Sequence, residues 1–124
     1  MKAAIIVFSD PKQGSEEATG RFFNALAAAY DFKKNDTEVA IYFQGTGTRW
    51  AGVVTRPDHM LNALYQAVAD TVAGVSCGCA DVFGAREDAE KNGFDLITDN
   101  SVPGTSGLPS IAQLAQQGWT IFTF

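Results

Sequence analysis

Ala73-Gly74-Val75-Ser76-Cys77-Gly78-Cys79-Ala80-Asp81-Val82-Phe83-Gly84 is the stretch whose reading decides the fold, and it holds both cysteines of the chain. A short apolar run that ends in small residues and restarts as an alanine-bearing helix is how a parallel strand passes its C-terminal end into the next helix. At such a junction the free N–H groups of the helix's first turn, with its dipole, favour an anion. A thiol placed there is expected to lose its proton more readily than one in water. Cys79 is therefore the candidate centre of a site and Cys77 its candidate partner, with Gly78 between them leaving only small groups to shield it.

The flanks repeat the same alternation. Upstream, Pro57 and Asp58 open a helix that puts Leu61, Leu64, Tyr65, Val68 and Val72 on one face. Residues 38–43 before it read as a strand that runs out into Gln44-Gly45-Thr46-Gly47-Thr48-Arg49-Trp50. Earlier still, residues 3–8 are continuously apolar, as in a central parallel strand covered on both faces. A helix over residues 15–33 follows, with Ser15 as N-cap, Glu16 and Glu17 at its positive end, and Ala18, Phe22, Ala25, Ala29 and Phe32 at three- and four-residue steps. Downstream, Val82, Phe83 and Ala89 give one helix its apolar side and Asn92-Gly93 stops it. Residues 94–98 read as a fourth strand and residues 99–107 as a polar, mobile loop rimming the pocket. Pro109 and Gly118 frame a last helix carrying Ile111, Leu114 and Ala115, and residues 119–124 form the fifth strand.

Five strands alternating with four helices predict a single α/β domain over residues 1–124: three layers, α/β/α, around a five-stranded, mostly parallel sheet with right-handed crossovers. Ligands of such sheets bind beyond the strands' C-terminal ends, where strand order reverses. Ser9 and Asp10, Gln44, Gly45 and Thr46, the 77–79 segment and the loop from Asp99 are the candidates to converge there.

Composition narrows the chemistry. A length of 124 residues fits one ordinary core. No apolar run approaches the ~20 residues of a membrane span. The N-terminal apolar run lacks a signal-peptide cleavage site, so a cytoplasmic location is expected. In that compartment two cysteines one residue apart are not a structural staple, and with a single histidine, His59, they make no metal set; no metal and no cofactor is expected. A net charge of −5 without clustered Lys or Arg argues against nucleic acid. His59, in the first turn of its helix, reads as a solvent-facing residue, because nothing in the sequence ties it to the cysteines. The Gly45–Gly47 alternation lacks both the phosphate-loop and the dinucleotide spacing, so a turn with positive φ is the preferred reading there.

Three readings of the site remain at this level. A reactive Cys79 is one. A strained Cys77–Cys79 redox pair is another, although one intervening residue suits no comfortable disulfide. The third is a flavodoxin-like module without catalysis, binding a small anion or nucleotide. Against that last reading, the turn after the first strand lacks a phosphate cradle and carries Asp10. Asp81 would oppose ionisation of Cys79 unless turned to solvent.

The strand at residues 3–8, the Tyr42-Phe43-Gln44-Gly45 strand end, the Gly74-to-Ala80 junction and the closing Gly118-Trp119-Thr120-Ile121-Phe122 resemble the DsrE/DsrF-like family of small sulfur-handling proteins. Gly47-Thr48-Arg49-Trp50 and Cys79-Ala80-Asp81-Val82-Phe83-Gly84 look like a subgroup with a cysteine followed by Ala-x-x-Phe-Gly. That subgroup has a second cysteine three positions earlier, where this chain has Ser76. The resemblance implies a sulfurtransferase-like carrier holding sulfane sulfur as a persulfide on Cys79, with Cys77 assisting. It also implies donor and acceptor proteins as partners, within homo- or hetero-oligomers; a homo-oligomer is expected here, since nine phenylalanines and two tryptophans leave aromatic surface to spare.

Overall fold

The computed structural model describes residues 1–124, apart from the side chain of Gln13. Five strands, β1 (Lys2–Val7), β2 (Glu38–Phe43), β3 (Val72–Ser76), β4 (Leu96–Ile97) and β5 (Trp119–Thr123), form one sheet in the order β4-β3-β2-β1-β5. Every pairing is parallel. The chain steps from β1 to β4 in one direction and then crosses back to pair β5 with the far side of β1. Right-handed crossovers therefore place the first three connections on one face and the fourth on the other. The sheet is a three-layer α/β/α sandwich with unequal outer layers.

The heavier layer holds α1 (Glu16–Lys34), a 3-10 helix (Gly45–Gly52), α2 (Asn62–Val68), α3 (Cys77–Val82) and α4 (Arg86–Lys91). One buried cluster joins Phe22, Leu26, Trp50, Tyr65 and Ala89 from these elements, with Val54 from the turn after the 3-10 helix, to Ile5, Val7, Ile41, Phe43 and Val75 of the strands. Phe22 stacks on Trp50 with ring centroids 3.9 Å apart. Alternation along β1 turns Ala4 and Ile6 to the other face, where α5 (Ile111–Gln116) packs on β5. Most of the aromatic residues are spent on this core; among the phenylalanines, only Phe8 and Phe23 are exposed.

Local chemistry explains where the helices begin and end. Ser15 caps α1 by accepting from Ala18 N–H at 3.1 Å, so the helix starts one residue later than the sequence pattern suggests. The helix expected from Pro57 begins only at Asn62. His59 Nδ1 accepts from Leu61 N–H at 3.0 Å and Asn62 Nδ2 donates to Val54 O at 2.9 Å, and these bonds hold residues 57–61 in turns instead. Val72, assigned to that helix from its spacing, opens β3.

The single helix expected after the cysteines is two. Gly84 adopts a positive φ of 71°, and Ala85 N–H donates to Ala80 O at 2.8 Å, which is the bond that closes a Schellman cap. Val82 is consequently exposed rather than on an apolar side. β4 is shorter than residues 94–98 because Phe94 turns into the core and meets Phe43 edge-on at 5.9 Å. In α5, Leu114 is the buried residue, while Ile111 and Ala115 face outward.

Candidate functional site

The cysteines sit where β3 becomes α3. Ser76 is the N-cap, Cys77 the first helical residue and Cys79 the third; Cys79 N–H donates to Ser76 Oγ at 3.3 Å. Helical geometry turns residues two apart by about 200°, so the two side chains leave α3 on different sides. Cys77 is buried at 3% exposure and Cys79 is half-buried. Both are free thiols. At six residues, α3 is too short to gather much of a macrodipole, so any help to an anion here must come from individual groups.

The loop after β4 supplies those groups. It is pinned on itself, because Asn100 and Leu108 exchange backbone bonds of 2.7 and 3.0 Å, and pinned to α3, because Gly78 N–H donates to Gly107 O at 2.7 Å. A Cβ on Gly78 would lie 2.8 Å from Leu108 and 3.0 Å from Gly107 O, so glycine permits the close approach. The loop thus rims the site as the sequence suggests, but through a bonded ladder.

Its Ser106 Oγ lies 3.2 Å from Cys77 Sγ and donates to Asp81 Oδ2 at 2.6 Å. Arg86 Nη1 reaches Asp81 at 2.9 and 3.2 Å, and Arg86 Nε reaches Glu90 at 2.9 Å. Asp81 is thereby held on the Cys77 side of α3. The Ser106 hydroxyl, and then the Arg86 guanidinium, hold its carboxyl below the ordinary carboxylate range. Arg86 is in turn raised, first by Asp81 and then by Glu90.

A carboxylate depressed in the folded state adds stability that is fully present above its ordinary value and is lost as the pH falls through the lowered one. The Ser106–Asp81 contact should therefore persist through mild acid and release only below the ordinary carboxylate range. A carbon-detected NMR titration of the Asp81 carboxyl checks this; release at or above that range contradicts it.

The other residues singled out from the sequence fall into two groups. Ser9 and Asp10 are bound to the scaffold. Trp50 Nε1 donates to Ser9 O at 2.9 Å, Asp10 accepts from Lys12 N–H at 2.9 Å, and Arg49 Nη1 meets Asp10 Oδ2 at 2.7 Å. Arg49 continues to Phe83 O at 3.2 Å, tying the turn after β1 to the end of α3. Thr46 Oγ1 donates to Phe8 O at 3.2 Å; Gly45 takes the expected positive φ of 59°, but Gly47 does not, and Gly45–Gly52 form a 3-10 helix rather than the turn read from the sequence. Gln44 differs, being 8% exposed with an Oε1 that has no partner. His59 packs edge-on to Trp50 at 5.9 Å and serves the turn rather than the cysteines.

Strand order also moves the expected crevice. It reverses at β1, two strands from β3, which is about 10 Å at ordinary strand spacing. The cysteines are flanked instead by the segments leaving β2 and β4. Two cavities lie elsewhere. One of about 150 Å³ is lined by Tyr65, Ala69, Gly74 and Phe94, and another of about 360 Å³ by Ser15, Thr19, Phe23 and Met60. Sequence reasoning missed Ser106 and Arg86, which belong to other segments; Ser106 is 29 residues from Cys77 and lay inside a loop read only for its glycines and proline.

Among the described residues no group of three or more His, Cys, Asp or Glu side chains could hold a metal ion, and no helix is long and apolar enough to cross a membrane. A family model described as "DsrE/DsrF-like family" matches residues 1–124. No curated protein and no solved structure matches the chain.

Proposed function

From the premise that this chain belongs to the DsrE/DsrF-like family, a family associated with sulfur relay, we propose that it carries sulfane sulfur as a persulfide on Cys79. The observation that supports Cys79 is the contrast between the two thiols. Cys79 is partly open to solvent, while Cys77 is covered and engaged by Ser106. Sulfur exchange needs a thiolate that can approach along the donor's S–S axis, which a covered thiol does not allow.

The steps balance without any redox change. The Cys79 thiolate attacks the outer sulfur of a donor persulfide; a new S–S bond forms as the donor's breaks, and the donor thiolate leaves with the electron pair. An acceptor thiolate then attacks the outer sulfur on Cys79 and releases the Cys79 thiolate. The partners are donor and acceptor proteins, the location the cytoplasm, and the working unit a homo-oligomer. The exposed Phe23 and Tyr30 on α1 are surface available to such contacts.

The redox-pair reading loses ground to geometry, because Cys77 and Cys79 diverge on α3 and could bridge only if the helix unwound. The small-ligand reading keeps one supporting observation, the unpartnered Oε1 of Gln44. Incubation with a persulfide donor, followed by intact-mass measurement, separates these outcomes. Gain of one sulfur atom supports the carrier. No gain, with thermal stabilisation by an added nucleotide, supports the module.

A further inference from the structure

Ser106 has a single hydroxyl proton and two claimants for it. Asp81 is ionised and can only accept, and its 2.6 Å contact is the short, charge-assisted one, so the proton lies toward Asp81. Ser106 Oγ then presents only lone pairs to Cys77 Sγ, 3.2 Å away. A thiolate at that distance would face another electron-rich atom, whereas a thiol can donate its S–H to the oxygen. We infer that Asp81, acting through Ser106, locks Cys77 as a neutral thiol, making Ser106 and Asp81 positioning residues for the cysteine that does not carry sulfur.

The charged groups around this chain of contacts are Asp81 on α3, Arg86 with Glu90 on α4, and Arg49 with Asp10 from the segments packed beside α3. Arg49 and Asp10 satisfy each other. Arg86 alone favours a Cys77 thiolate, and its near nitrogen is already committed to the Asp81 carboxylate.

The lock has a use that rests on the sulfur-carrier reading above. Were the first turn of α3 to unwind, a Cys77 thiolate could attack Cys79 Sγ of the loaded protein, forming a Cys77–Cys79 disulfide and expelling the outer sulfur as hydrosulfide with the bonding pair. That exchange needs no oxidant, since the persulfide is itself reduced, and it would waste the cargo. Keeping Cys77 protonated, and turned away from Cys79 by the helix, suppresses it.

The test uses Cys79→Ser, which leaves Cys77 as the only thiol, and reads the S–H stretching band in the infrared. At neutral pH the band should be present and displaced to the frequency of a hydrogen-bonded thiol. Adding Ser106→Ala should move it to the free-thiol position and raise the rate of Cys77 alkylation about tenfold, the equivalent of one ordinary hydrogen bond; Ser106→Thr should restore both. Asp81→Asn gives a second route, because its carboxamide can donate to Ser106 and free the hydroxyl to turn to sulfur, so the bonded S–H band should again be lost. No S–H band in the Cys79→Ser protein, a band already at the free position, or a band indifferent to both substitutions overturns the lock. A lock confirmed in a protein that never takes up sulfur would leave the lock standing and remove the carrier; sulfur uptake with an indifferent band would do the reverse.

Discussion

Cys79→Ser is expected to abolish sulfur loading from a persulfide donor, while Cys77→Ser retains it. The asymmetry follows from where α3 places the two thiols. Cys79 is the third residue of the helix and partly solvent-facing; Cys77 is the first, 3% exposed, with Gly107 and Ser106 drawn over it by the Gly78 and Asp81 contacts. A serine hydroxyl at residue 79 preserves size and hydrogen bonding but is not a nucleophile toward sulfane sulfur at neutral pH, so the loss should be complete rather than partial. Intact-mass measurement of the two variants beside the native protein, after identical incubation, reads the result. Equal loading of the Cys79→Ser protein would transfer the role to Cys77 and require the loop to open.

The largest effect on stability is expected from Trp50→Ala. Trp50 is 1% exposed, stacks on Phe22, and donates its indole N–H to Ser9 O. Truncation removes the stack and leaves a void between α1 and the sheet, and it strands the Ser9 carbonyl, so a loss of about 3–5 kcal/mol is expected. Against a total stability of about 5–15 kcal/mol, that is enough to leave the variant partly unfolded. A urea unfolding curve should show the midpoint collapsing. A shift of under about 1 kcal/mol, the size of an ordinary surface change, would mean that the 3-10 segment is not the keystone its packing implies.

β1 is legible because residues 3–7 form an apolar run buried on both faces, whereas β2 and β5, only partly buried, show through their β-branched and aromatic content. The sequence pattern also placed α1, whose Ser15 cap and apolar spacing agree with each other. Helix ends were harder. The break at Gly84 depends on a positive φ closing a Schellman cap, and Phe83-Gly84 sits in a stretch whose flanking apolar residues fit a continuous helix equally well. The late start of α2 depends on bonds from His59 and Asn62 to backbone that no periodicity records. At the site, the junction and both cysteines were legible from local order alone. Their inequality was only partly so, because it is set by Ser106, Asp81 and Arg86, which the fold brings together from the loop after β4, α3 and α4.

The most direct test of the carrier is to load the native protein with a persulfide donor, trap the product with an alkylating agent, and fragment the peptide that spans Cys77 and Cys79. Fragment ions that break on either side of Gly78 assign the sulfur to one residue. The expected result is an alkylated persulfide on Cys79 and a plain alkylated or unmodified thiol on Cys77. An extra sulfur on Cys77, or on neither residue, would contradict it.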